Sequence, residues 1–276
     1  MAAVLWTLAV LLVLLWFLLH PARYSEAQKQ AFYGVNHAHR GLHTKDKAVP
    51  ENSLPAFAAA VAHGYGIELD IQLSKDGQVV VFHDDTLDRV CGVHGRVDAF
   101  PFDELREMRL CGSGETLPLL TEVFAVVQGK TPIIIELKTG PRNGELCEKG
   151  LALMRAYAEE YHGAFCVESF DPRIVGWFKK NAPDILRGQL TDRPANFEGQ
   201  PWALKVALGN LLTNVLARPQ FIAYGPGPKT PLARLAEALG AIRVCWTVHP
   251  EDDVAAKEAA NDAVIFEFYE PKPKYK

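Results

Sequence analysis

Apolar positions fall into two regimes along the chain. Residues 2–19, AAVLWTLAVLLVLLWFLL, run without a charge, and Thr7 is their only polar side chain. As a helix at 1.5 Å per residue they would extend about 27 Å, close to the ~30 Å hydrocarbon thickness of a bilayer. No Lys or Arg precedes the run, and His20-Pro21-Ala22-Arg23 follows it. A signal peptide normally opens on a basic stretch and ends at a small-residue cleavage site. The pattern favours an uncleaved single-pass transmembrane anchor over residues 1–22. A signal peptide cut near Ala22 and a buried core helix are the alternatives. Residues 23–32 read as a juxtamembrane linker. Arg23, Lys29 and Arg40 all follow the run, which tilts the domain after it toward the cytoplasm.

From residue 33 onward, short apolar runs alternate with helical stretches. Candidate strands are Val35–His39, Ile67–Leu73, Ile133–Leu137, Phe165–Ser169, Ile185–Leu190, Phe221–Tyr224, Val244–Val248 and Ala263–Phe266. Several are almost continuously apolar, as in a parallel sheet covered on both faces. Candidate helices between them are Ser53–His63, Leu117–Val127, Glu145–Tyr161, Pro172–Asn181, Pro201–Leu216, Thr230–Leu239 and Glu251–Ala260. This alternation predicts an α/β fold, a TIM (β/α)8 barrel over residues 33–276, with a doubly wound sheet as the rival. One further run, Val79–His83, follows the second strand across Ser74-Lys75-Asp76-Gly77, and Asp-Gly marks a hairpin. A turn centred between Lys75 and Asp76 sets His83 opposite Glu68. Period-two alternation gives Glu68 and Asp70 a common face. Residues 84–116 show no helical pattern and read as a small insertion after the second barrel strand.

Composition narrows the partners. The chain of 276 residues sets 33 Asp and Glu against 29 Lys and Arg, a formal net charge of -4. No basic block offsets that balance, so nucleic acid is not the expected partner. Cys91, Cys111, Cys147, Cys166 and Cys245 form no CxxC pair and read as free thiols rather than a disulfide scaffold or a thiolate metal site. The sequence leaves the oligomeric state open.

The chemistry gathers at strand ends, which in a barrel form the active-site face. His39-Arg40-Gly41 closes the first strand, Glu68 and Asp70 lie toward the end of the second, and Glu136 and Lys138 end the third. Glu68, Asp70 and Glu136 make a hard oxygen set suited to one divalent cation, Mg²⁺ or Ca²⁺. Salt bridging to Arg40 and Lys138 is the structural alternative. Those two cations also suit a phosphate ester, Arg40 as a planar fork and Lys138 as a point charge. Phosphodiester cleavage needs one proton removed and another delivered, and His39 and His83 can divide these tasks. His37 shares the face of His39 and is a candidate supporting group.

The segments HRG at 39–41, PENS at 50–53, GIELDIQLSKDGQVVVFHDDTLDR at 66–89 and IIIELK at 133–138 resemble the glycerophosphodiester phosphodiesterase family. LPLLTEV, VESF, RGQL, FIAY and WTV extend the likeness across nearly all the chain after the apolar run. The resemblance implies a TIM barrel with His39 and His83 as acid and base, and with Glu68, Asp70 and Glu136 around a divalent cation. Arg40 and Lys138 would contact phosphate. Glu51 would approach the metal or headgroup, Asn52 would brace the first loop, and Glu168 and Trp246 would shape the alcohol pocket. The implied reaction is metal-dependent hydrolysis of glycerophosphodiesters to sn-glycerol 3-phosphate and an alcohol. A membrane anchor adds lysophospholipase D-like hydrolysis of lysophospholipids as an alternative, with a non-catalytic glycerophosphodiester binder behind it. The chain departs from the family near its end. AVIFEFYEPKPK lacks the usual TDxP-like turn, and Glu267 or Glu270 would have to supply the corresponding contact.

Overall fold

In the computed structural model, which describes residues 1–275, the apolar runs pair into one sheet. Its strands are β1 (Asn36–Ala38), β2 (Gly66–Leu73), β3 (Val79–Val81), β4 (Ile133–Leu137), β5 (Phe165–Ser169), β6 (Arg187–Thr191), β7 (Phe221–Tyr224), β8 (Ile242–Val248) and β9 (Ala263–Phe266). All except β3 run parallel, in the order β1-β9-β8-β7-β6-β5-β4-β2, and a β1–β2 pairing closes the ring. The fold is therefore the (β/α)8 barrel, and that seam excludes the open doubly wound sheet. β3 is added antiparallel on the outer run of β2.

Alternation along each strand divides the core in two. Ile67, Leu69 and Ile71 of β2 and Ile133, Ile135 and Leu137 of β4 pack outward against Phe57, Val123, Phe124 and Phe178 of the helices. Ile134, Cys166, Phe221, Ala223, Ile242 and Ile265 fill the interior, with Phe32 among them. Helices start where a side chain can take an orphan backbone N–H. Ser53 accepts from Ala56, Asp171 from Arg173, Thr230 from Ala233 and Asp253 from Ala256.

Several details differ from the sequence pattern. β6 begins at Arg187, because Ile185 and Leu186 pack ahead of the first ladder pair. The stretch 201–216 is two helices, Trp202–Gly209 and Asn214–Ala217, broken at Gly209-Asn210 with Leu211 at φ +58°. Gly and Asn are weak helix formers that favour such ends. Residues 84–116 are not helix-free. They carry short helices Asp88–Cys91 and Phe102–Leu105 and a private core of Leu87, Val90, Val97, Phe102, Leu105 and Leu110 beneath Phe82. Residues 23–32 pack on the barrel base. Ser25 and Gln28 form a capping box for Glu26–Gln30, and Gln28 Nε2 donates to the Asp184 carbonyl at 2.9 Å.

The hairpin register is one residue from expectation. Ile71, Gln72 and Leu73 face Val81, Val80 and Val79, so Phe82 lies across from Asp70 and the register carries His83 level with Leu69 instead of Glu68. Ser74 N donates to the Gln78 carbonyl and Gly77 N to the Ser74 carbonyl, both at 3.0 Å. Gly77 sits at φ +79°. This is a turn with an added glycine bulge, and the extra residue shifts the register.

Candidate active site

The parallel ladder puts three acids side by side. Asp70 of β2 is the register partner of Glu136 of β4, which is the partner of Glu168 of β5. Neighbouring strands lie about 4.8 Å apart, so level inward side chains must meet. Glu68, one inward step below Asp70, completes the group. Carboxylate oxygens of Glu68, Asp70 and Glu136 lie within 4.8 Å of one another, all in buried residues.

Two cations face them. Lys138 Nζ is 2.9 Å from Glu136 Oε1 and 3.4 Å from Asp70 Oδ1. Arg40 Nε is 3.6 Å from Asp70 Oδ2, and its Nη1 donates to Glu51 Oε1 at 2.7 Å. Arg40 adopts φ +54°, an uncommon conformation for a residue with a side chain. There its backbone N–H donates to Glu68 Oε2 at 3.1 Å. Asn52, also at φ +54°, donates from Nδ2 to Asp70 Oδ2 at 2.9 Å.

The electrostatics divide the acids. Burial pushes Glu68 well above the usual carboxylate range, reinforced by Asp70, Glu136 and Glu168. Glu168 is raised well above that range for the same reasons, and its Oε2 has no hydrogen-bond partner. Glu136 is raised by burial, with Lys138 opposing. Burial would also raise Asp70, yet His83, Lys138 and Arg40 outweigh it and hold it well below the range. Among the described residues, four buried carboxylates, Glu68, Asp70, Glu136 and Glu168, thus face two partly buried cations, Arg40 and Lys138. Hard oxygen donors carrying that charge excess fit one divalent cation.

The two imidazoles flank this floor. His39 donates its backbone N–H to the Phe266 carbonyl at 3.0 Å, which fixes it beside β9. Its Nε2 is 4.0 Å from Glu68 Oε2 and its Nδ1 is 3.4 Å from Glu267 Oε1. Burial lowers this imidazole to about 4, with Glu267 opposing and Arg40 reinforcing. His83 lies beyond the end of β3. Gln72 Nε2 donates to the Phe82 and Asp84 carbonyls, each at 2.9 Å, and so pins the chain on either side of His83. His83 Nδ1 is 2.6 Å from Asp84 Oδ1, and Arg89 Nε donates to Asp84 Oδ2 at 2.6 Å. Arg89 also holds both oxygens of Glu51 at 2.7 Å. Burial alone would raise Glu51, but Arg89 and Arg40 bring it down to about 2.

His39, Arg40, Glu51, Glu68, Asp70, His83, Glu136, Lys138 and Glu168 therefore belong to one mouth. Trp246 stands at its wall. Its indole N–H donates to the Ala223 carbonyl at 2.9 Å, and its ring meets Phe170 edge-on at 5.4 Å. His37 does not join the mouth. Its ring is fully buried at the barrel base, against Phe32 and the start of β2. Three residues carry more than their sequence signal suggested. Glu267 reaches His39, His43 Nε2 at 2.8 Å and His249 Nε2 at 3.0 Å. Asp84 and Arg89 tie His83 to Glu51, and only their place in the HDDTLDR run hinted at it. A cleft of about 260 Å³ beside His39 and Arg40 is rimmed by Lys45, Lys47 and Arg89.

The fold and these groups define a (β/α)8 barrel whose mouth gathers an acidic cluster that could hold a metal ion, with two basic side chains and two imidazoles beside it. The chain belongs to the glycerophosphoryl diester phosphodiesterase family, whose model matches residues 39–270. It is 36% identical over 163 residues to a glycerophosphodiester phosphodiesterase of Caldanaerobacter subterraneus subsp. tengcongensis, covering 55% of this chain and 65% of that one. It is 34% identical over 155 residues to rat (Rattus norvegicus) lysophospholipase D GDPD1, covering 51% and 48%. The chain thus spans less than two thirds of the length of these curated relatives. An Oleispira antarctica phosphodiesterase, solved with the product sn-glycerol-3-phosphate, shares the fold. Its TM-score is 0.66 at 24% identity, over 88% of this chain and 96% of that one.

Proposed function

We propose that the chain hydrolyses glycerophosphodiesters to sn-glycerol 3-phosphate and an alcohol. The observation that carries this reading is the convergence of Glu68, Asp70 and Glu136, with oxygens within 4.8 Å, between His39 and His83. Glu68, Asp70 and Glu136 would hold Mg²⁺ or Ca²⁺, which when bound supplies Lewis-acid polarisation of the phosphoryl group. Arg40 and Lys138, already drawn to the acids, bind and orient the phosphate. One imidazole takes the proton of the attacking hydroxyl, and the other delivers a proton to the departing alkoxide. The attacking hydroxyl belongs either to the adjacent glycerol carbon, giving a cyclic phosphate that water opens, or to water itself. Glu51 sets the Arg40 guanidinium. Glu168 and Trp246 line the side where the alcohol leaves.

The test is cation-dependent release from glycerophosphocholine and lysophosphatidylcholine, measured in parallel. Glycerol 3-phosphate from the first, without lysophosphatidic acid from the second, supports the reading. Tight binding of both with no product overturns the enzyme assignment for these headgroups.

A second substrate class, lysophospholipids, has its own support. Trp246, Phe170 and Phe197 form an aromatic line at the mouth, with ring centroids 5.4 and 6.2 Å apart. Such a line suits an acyl chain, and lysophosphatidic acid as the product would select this reading. Ala2–Leu19 is one helix long and apolar enough to cross a membrane. We read it as an anchor with the barrel on the cytoplasmic side, since Arg23 and Lys29 follow it.

A further inference from the structure

The helices around a barrel ordinarily turn a charged face to water. Asn143–Tyr161 does so with Glu145, Glu148, Arg155 and Glu159. The connection from β6 to β7 does not. Residues 201–218 read PWALKVALGNLLTNVLAR, with no acid and with Lys205 and Arg218 as the only charges. Burial does not account for this composition. Trp202 is 77% exposed, Leu216 60% and Leu204 39%. Beyond residues 1–19, these three and Phe268 are the exposed large hydrophobic residues among those described. Exposed large apolar side chains gathered on one acid-free connection mark a binding region.

The same connection receives the N-terminal helix. Leu19 is buried in a cluster with Leu211, Ala233 and Ala236. Arg218 Nη1 donates to the His20 carbonyl at 3.0 Å, and its guanidinium lies 4.8 Å from the centre of the Phe17 ring. Ala22 N donates to the Pro219 carbonyl at 3.3 Å. The connection that carries these exposed side chains is therefore packed against a helix that is apolar all round. Cations edge it. Lys179 Nζ donates to the Leu216 carbonyl at 3.0 Å, and Lys180 next to it is exposed. Lipid covers an apolar face, and anionic headgroups suit a basic rim.

We propose that residues 201–218 contact the bilayer, so that the barrel lies on its side against the membrane its N-terminal helix enters. This rests on the reading of Ala2–Leu19 as bilayer-inserted. The loop at 192–201 then sits at headgroup level. That loop carries Phe197, the outermost ring of the aromatic line into the mouth. The mouth opens along the membrane surface, within reach of a lipid that stays partly embedded.

The test uses the full chain in phosphatidylcholine–phosphatidylglycerol vesicles, with Cys91 and Cys111 changed to Ser. An environment-sensitive fluorophore is attached through Leu204→Cys, Leu216→Cys or, as a control on the polar helix, Glu159→Cys. Iodide quenching at 204 and 216 is expected to be at least about 5-fold weaker than at 159, and unchanged below one chain per vesicle. Equal quenching at all three sites, with the chain resisting carbonate extraction, overturns the flank and leaves the helix reading standing. Release by carbonate overturns both. Protection that disappears on dilution assigns the face to a second copy and also overturns the proposal.

Discussion

His39 directly follows β1 inside the closed wall, while His83 follows the edge strand β3 outside it. The first is placed by the global fold. β1 is paired on both sides, and the Phe266 carbonyl of β9 takes the His39 N–H. The second is placed by a local relay of Gln72, Asp84, Arg89 and Glu51. One imidazole is 16% exposed against Glu267, and the other 31% exposed against Asp84. Two different devices thus deliver similar groups to one carboxylate floor. The His39 side cannot move without opening the barrel, whereas the His83 side depends on a few side-chain contacts.

The floor shared by both sides gives the largest expected effect. Glu136→Gln removes one of three anionic donors and leaves Lys138 without its 2.9 Å partner. Cation affinity should fall on the order of 100-fold, since ligand charge sets affinity in such sites, and turnover should fall with it. Calorimetric titration with Mg²⁺ and Ca²⁺ measures this. An unchanged titration would remove Glu136 from the ligand set.

His39→Ala and His83→Ala should each lower kcat by about 10²- to 10⁴-fold, the usual worth of a positioned acid or base. Neither should change cation affinity appreciably, because neither supplies a floor oxygen. Loss of affinity equal to the loss of rate in His83→Ala would contradict a purely proton-transferring role. If only one variant is impaired, the two sides do not share the chemistry.

The supporting carboxylates separate the two devices. Glu267→Gln disturbs His39, His43 and His249 together, while Asp84→Asn disturbs His83 alone among the imidazoles. Residues that orient such groups are typically worth about 10- to 100-fold. Glu267→Gln should fall at the upper end, in kcat more than in KM. Asp84→Asn should fall at the lower end, since Gln72 still fixes the backbone on either side of His83. Stopped-flow turnover with glycerophosphocholine orders the two, and the reverse order would reverse the account of which side is the more dependent on its carboxylate.

The same contrast explains what could be read from the chain. β2 alternates cleanly, so Glu68 and Asp70 had to share a face, while Glu136 was placed with them by its position at the end of an apolar run, and the barrel followed from eight short strands. His83 was legible as a mouth residue for a partly mistaken reason. Alternation cannot show that Gly77 adds a bulge, and one residue of slip changes every cross-strand partner. Glu267 was legible only as a possible structural contact, because its three imidazoles come from chain segments around residues 39, 43 and 249, which meet only on folding. Residues 84–116 hid their helices because each is a single turn, too short to show a 3.6-residue period.

His37 sharpens the point from within β1 itself. It lies two residues before His39 and on the same face, yet it packs at the base, where a Cβ on Gly66 would approach its ring to 2.4 Å. Its Nδ1 is 3.1 Å from the Val35 carbonyl, and burial lowers it from 6.5 to about 4, with that carbonyl opposing. At pH above 6.5 both folded and unfolded chains hold the ring neutral. As pH falls toward 4, the unfolded chain takes up a proton that the folded one refuses, so stability declines. The shift amounts to about 3 kcal/mol lost across that window. His37→Gln keeps a donor for the Val35 carbonyl and cannot titrate. It should leave turnover at neutral pH unchanged and remove that part of the acid-induced loss, as read from denaturant midpoints at pH 7, 5.5 and 4.5. Identical pH slopes in the two proteins would show that the ring escapes its pocket before it charges. The base of β1 would then be less rigid than the wall that holds His39.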